Sequence, residues 1–175
     1  MAFRHIFLTG EKRVGKSTLW KKALQRSGIV PGGFQTLEYL VCGSFRGYRL
    51  HGLGRTPEAL GNDVPISVFL RRRLHLTVPE SFNIFGTELL RLALEDGGFV
   101  LMDELGIFER DAAAFRQAVA DCLDGQCHVL GVLQKADDPF LENILARPDV
   151  LVLTVTPENR DDLLQPLVEA LEQLK

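Results

Sequence analysis

Gly10 and Gly15 bracket a four-residue stretch and lead into Lys16-Ser17-Thr18, directly after the apolar run Ile6-Phe7-Leu8-Thr9. A chain in that order must run a buried strand into a tight loop and open a helix from it. Such units build parallel sheets, so the beginning of the chain already points to an α/β fold. The glycines adopt dihedrals that a side chain would forbid, which turns the N–H groups of Gly10, Glu11, Lys12, Arg13, Val14 and Gly15 inward. With the positive end of the helix that follows, these donors form a cradle for phosphate. Lys16 can reach the β- and γ-phosphates, the Ser17 hydroxyl can hold a bridging Mg²⁺, and Thr18 adds a hydroxyl near the α-phosphate. The pattern implies a nucleoside triphosphate, ATP or GTP, as ligand.

With 175 residues, 46% hydrophobic and 25% charged, the chain is sized for one domain over 1–175 with a core of its own. The net charge is −3, without long runs of like charge, so no nucleic-acid partner is expected. Cys42, Cys122 and Cys127 lack metal-type spacing and read as reduced thiols in core or semi-core positions. The first strand starts at Phe3, leaving no signal peptide, and no apolar stretch is long enough for a bilayer. A cytoplasmic location without membrane contact is the expectation.

Strands and helices alternate along the chain, as in a mainly parallel sheet covered on both faces. Strands are expected over Phe3–Thr9, Phe34–Cys42 and Gly47–Leu53, the last two as a hairpin-like excursion across Gly43-Ser44. Gly54–Pro65 reads as loop, and Ser67–Val78 as extended pieces around Arg71-Arg72-Arg73. Helical spacing covers Lys16–Arg26, Asn83–Glu95, Arg110–Leu123 and Phe140–Ala146. Further strands are Phe99–Met102, Cys127–Leu133 and Val150–Val155, and Glu158–Leu174 closes the chain as an amphipathic helix bent at Pro166.

The fully apolar strand before Asp103-Glu104 ends where a phosphate-loop protein needs its second acidic element. Asp103 is placed to hold, directly or through water, the Mg²⁺ that Ser17 ligates. Glu104, one step further, is placed as general base for an attacking water. Lys16, Glu104 and Asp103 are thus the expected catalytic residues, with Ser17 and Asp103 on the metal.

On these residues the chain resembles the small P-loop nucleoside-triphosphatases, the family with thermophile and human cancer-related members. The resemblance covers H-I-F-L-T-G-E-K-R-V-G-K-S-T-L, G-G-F-Q-T-L-E at 32 to 38, R-G-Y at 46 to 48, L-M-D-E-L-G-I-F-E at 101 to 109 and N-R-D at 159 to 161. It implies slow, Mg²⁺-dependent hydrolysis of NTPs with relaxed base preference. The implied fold is a three-layer, nucleotide-kinase-like P-loop domain with a β-rich insertion after the first helix. Lys12-Arg13 stand where the family carries Pro-Gly, Leu40 where it carries Arg, and Phe108 where it carries Met.

The Leu40 position makes the source of a charge-neutralising arginine the open question. Arg46, Arg55 and Arg71, Arg72 and Arg73 are candidates for the γ-phosphate, and Arg160 for the nucleotide base at the carboxyl edge of the sheet. Glu38 is a candidate for orienting a site group, Glu109 for capping the next helix, Asn159 for helix entrance, and Trp20 for the core. His5, His51, His75 and His128 show no triad or metal spacing. Two alternatives stand beside hydrolysis: a kinase with an acceptor pocket over residues 34 to 82, and a switch or assembly factor whose protein partner supplies the missing arginine.

Overall fold

Short-range alternation inside the apolar strands decides the layering. The structure, a computed structural model, describes residues 3–71 and 74–175, without the side chains of 71–75. Its strands are β1 (His5–Thr9), β2 (Gly32–Val41), β3 (Ser44–Leu53), β4 (Asp63–Arg71), β5 (Leu74–Thr77), β6 (Phe99–Leu105), β7 (His128–Leu133) and β8 (Val150–Thr154). They form one sheet in the order β5-β4-β3-β2-β6-β7-β1-β8. The neighbours from β2 through β6, β7 and β1 to β8 run parallel, and β2-β3-β4-β5 run antiparallel. The sheet is therefore mixed, with its longest-range pairings parallel.

Side chains on successive strand positions enter two separate cores. Ile6, Leu8, Leu101, Leu130 and Val132 pack with Leu19, Trp20 and Ala23 of α1 (Lys16–Ser27) and Leu167 and Leu171 of α6 (Leu164–Glu172). Phe7, Val100, Met102 and Val129 face the other way, toward α3 (Thr87–Asp96), α4 (Ala113–Asp124) and α5 (Pro139–Leu145). α2 (Pro79–Ser81) and a π-helical turn at Phe82–Gly86 run directly into α3. From that turn, Asn83 Oδ1 accepts from the N–H groups of Ala114 and Phe115 and so satisfies the open start of α4. Trp20 lies in the core and donates Nε1–H to the Gly131 carbonyl at 2.8 Å.

Several boundaries differ from the sequence expectation. β2 is no excursion, because Gly32–Gln35 pair in parallel with Val100–Asp103 before the strand continues outward. Its turn is two residues, Cys42 (φ 48°) and Gly43 (φ 75°), the two positive dihedrals of a type I′ hairpin. Cys42 is consequently exposed, not semi-core, while Cys122 and Cys127 are buried. α6 starts at Leu164, and Pro166 sits in its first turn, where a missing N–H costs nothing. Among the described residues, no helix is long and apolar enough to cross a membrane.

His5 opens β1 fully buried. Its Nε2 faces the Leu123 carbonyl at 3.1 Å, and Nδ1 accepts the Val129 N–H at 3.0 Å, which fixes a neutral ring protonated on Nε2. Burial lowers its pKa from 6.5 to about 4, Asp149 opposing the shift and Arg4 and Arg147 adding to it. In the unfolded chain the ring regains an ordinary pKa, so acid favours unfolding between those two values. This contribution is complete above about pH 6.5 and is lost as pH falls toward 4, an effect of roughly 3 kcal/mol. Urea unfolding at pH 7 and pH 4.5 should show the wild type losing more stability than His5→Gln by about that amount. Equal losses would place the acid sensitivity elsewhere.

Candidate active site

β1, β6 and β7 end at one edge of the sheet, and each delivers a polar segment there. The loop after β1 depends on Gly10, whose φ is 141° and whose Cβ, if present, would lie 2.3 Å from the Val155 carbonyl oxygen. Val155 also donates its N–H to Thr9 at 2.8 Å, which brings the end of β8 against the loop. Arg13 takes φ 61°, a left-handed conformation unusual for a side-chain-bearing residue. Gly15 (φ 106°) precedes α1, whose first turn carries no acidic residue to compete for its open N–H groups.

Lys16 is 6% exposed and donates to the carbonyls of Gly10 at 2.9 Å and Glu11 at 2.8 Å. Burial lowers its pKa, and Glu104, Asp103 and Glu11 pull it back up. The Ser17 hydroxyl donates to Asp103 Oδ1 at 3.0 Å. Burial pushes the Asp103 carboxyl up to about 6, opposed by the Ser17 bond and Lys16. Glu104 follows through a cis peptide and accepts from the Gln134 side-chain amide at the end of β7.

Glu109 caps no helix. It folds back under the same edge, 1% exposed, accepting the Gly106 N–H, and burial pushes it up to about 8. α4 begins only after Ala112, and its first turn carries no acidic residue.

Together these segments line a cavity of about 690 Å³ that exposes Lys12, Arg13, Gly15, Lys16, Ser17 and Thr18 to Asp103, Glu104 and Gln134. Thr36, Glu38, Tyr48 and Phe108 form its far wall. Gly10, Glu11, Lys12, Lys16, Glu104 and Lys135 surround an adjoining space of about 170 Å³, closed by a 2.7 Å Lys135–Glu11 ion pair. Val14 points away into the core. Arg160 lies across the loop beside Gly15, Thr18 and Lys22, in a third cavity of about 280 Å³. Just before it in the chain, Asn159 accepts the Thr156 N–H at 2.8 Å and donates to the Thr154 carbonyl at 3.0 Å, tying the turn back to the end of β8.

The other arginines are not assembled here. Arg46 is exposed on β3 and lines none of these cavities. Arg55 is engaged by Glu95 and Asp96 on α3. Arg72 and Arg73, and the side chain of Arg71, lie outside the described residues. Leu40 sits half exposed near the hairpin turn, beyond a bulge between Tyr39 and Leu40 that breaks the face carrying Thr36 and Glu38. Sequence reasoning missed Gln134 and Lys135, although polar residues directly after an apolar parallel strand are the signal for this edge. Tyr48 and Phe108 carried no such signal, since only the fold of β3 over the edge brings them together.

A family model described as NTPase matches residues 5–168. The nucleoside-triphosphatase THEP1 of Thermotoga sp. (strain RQ2) is 30% identical over 168 residues, covering 95% of each chain. The cancer-related nucleoside-triphosphatase homolog of Bos taurus is 33% identical over 180 residues, covering 94% of this chain and 95% of its own. The crystal structure of THEP1 from Aquifex aeolicus superposes with a TM-score of 0.78 at 27% identity, covering 96% and 99% of the two chains.

The left-handed Arg13 sets a local test. Holding a non-glycine residue there costs on the order of 1 kcal/mol, so Arg13→Gly should raise stability by up to about that much. Arg13→Val, with a branched Cβ, should lower it. Urea denaturation of the two variants should bracket the wild type, and the reverse order would mean that this dihedral carries no strain.

Proposed function

This chain belongs to the NTPase family, and from that membership we propose that it hydrolyses nucleoside triphosphates, ATP and GTP among them, to the diphosphate and phosphate. The observation carrying this reading is the convergence of Lys16, Ser17, Asp103, Glu104 and Gln134 on one cavity. The loop N–H groups and the start of α1 receive the phosphates. Lys16 exchanges its bonds to Gly10 and Glu11 for phosphate oxygens, so its charge meets the β- and γ-phosphates. Glu104, held by Gln134, accepts a proton from water as the water oxygen bonds to the γ-phosphorus and the bridge to the β-phosphate breaks.

The Ser17 and Asp103 oxygens are hard donors 3.0 Å apart, and Asp103 is a buried carboxylate that a cation would stabilise, so this pair fits Mg²⁺. Bound there, Mg²⁺ supplies positive charge to the phosphate oxygens. Among the described residues, Lys12 and Arg13 on the cavity and Arg160 beside Gly15 are cations placed to act in cis. The antiparallel β3–β5 segment reads as an insertion into a nucleotide-kinase-like sheet, within one domain. Three free cysteines support a cytoplasmic setting.

Lys16→Ala removes the point charge facing the phosphates and should weaken binding of a fluorescent NTP by a few kcal/mol. Binding at wild-type strength would sink the loop assignment. Glu104→Gln keeps shape and the contact with Gln134 but cannot take the proton. It should hold NTP near wild-type affinity and release phosphate about 10²-fold more slowly. Unchanged release would move the base elsewhere.

A further inference from the structure

The main cavity extends well beyond the phosphate loop. A single attacking water occupies about 30 Å³, whereas a space of about 690 Å³ is in the range of sites that hold a small molecule. Its far wall is chemically unlike its near one. Glu38 and Tyr48 face each other across the β2-β3 ladder. The Tyr48 ring stacks at a tilt against Phe108, centroids 5.3 Å apart. Thr36 lies on the same face of β2 as Glu38, two positions nearer the sheet core.

That wall repels triphosphate. An exposed carboxylate, which among the described residues has no ion-pair partner, cannot favour further phosphate beside Lys16. It favours an N–H donor or a cation, and the two aromatic rings favour a flat partner. The NTP has room on the opposite side of the loop, where Arg160 and Lys22 line the cavity of about 280 Å³. The two spaces share Gly15 and Thr18, so a triphosphate in the loop separates them.

We propose that Thr36, Glu38, Tyr48 and Phe108 form an acceptor subsite, through which the protein transfers the γ-phosphoryl group of NTP to the hydroxyl of a small heteroaromatic alcohol bearing N–H groups. The inference rests on the NTP site proposed above. In this reaction the acceptor oxygen bonds to the γ-phosphorus as the bridge to the β-phosphate breaks. The acceptor proton passes to Glu104, and the products are a phosphate monoester and NDP. Water attack is then what occurs when the subsite is empty.

The test uses the full chain with γ-³²P-labelled ATP or GTP, Mg²⁺, and adenosine, guanosine, cytidine or pyridoxine in turn as acceptor. The expected result is a labelled monoester of at least one of the four, formed at the expense of free phosphate. Glu38→Gln, which removes the carboxylate, and Tyr48→Leu, which removes the ring, should each lower the ratio of monoester to phosphate, by about tenfold for the exposed Glu38. Free phosphate without monoester from any of the four overturns the proposal and leaves hydrolysis standing. Neither product overturns both readings. An unchanged ratio in both variants, or a KM for NTP raised by Tyr48→Leu without acceptor, would assign the wall another role and overturn it too.

Discussion

One hydrogen bond ties the working edge together: Ser17 Oγ to Asp103 Oδ1, at 3.0 Å. Ser17 belongs to the helix after β1 and Asp103 to β6, and these two strands are not neighbours. β7 lies between them. The bond is therefore a long-range clasp that forms only when all three strands are in register and α1 is docked on its face. It also brings a buried carboxylate within reach of Lys16, so the two costly charges at this edge are placed against each other. Every other polar group of the site is arranged around that pair.

Support for the clasp comes from residues that meet no ligand. Asn159 closes the turn after β8, Asn83 satisfies the start of α4, and Glu109 holds the chain as it leaves β6. Each makes its bonds to backbone groups, which fixes where loops run. The edge is thereby rigid at its base while the antiparallel strands beyond β2 set the shape of the space above it.

The strand–loop–helix turn between β1 and α1, the acidic strand end and the alternation of elements were legible in the sequence because each has a local cause. Gly10 and Gly15 are demanded by the loop, and the run before Asp103 is apolar because β6 is buried on both faces. What depends on distant packing was not legible. Nothing local distinguishes Arg46, which lines none of the cavities, from Arg160, which lies beside Gly15. The partnership of Tyr48 and Phe108 is set by how β3 lies beside β2, and strand alternation there was weak. The amphipathic pattern reaches back to Glu158 and so puts Pro166 in a helix interior, whereas the helix starts at Leu164. The position of a proline within a helix decides whether it disturbs or starts it.

The two carbonyl bonds of Lys16 have one more consequence. A cationic side chain that is already satisfied by its own loop gives up charge-assisted bonds, each of about 1.5–3 kcal/mol, when an anion arrives. A lone orthophosphate offers little beyond that exchange. In the proposed site a triphosphate would recover it with several additional oxygens along the loop. The resting loop is thus its own weak competitor, setting an affinity threshold that favours long polyanions. In the proposed reaction the same threshold would favour departure of the cleaved phosphate.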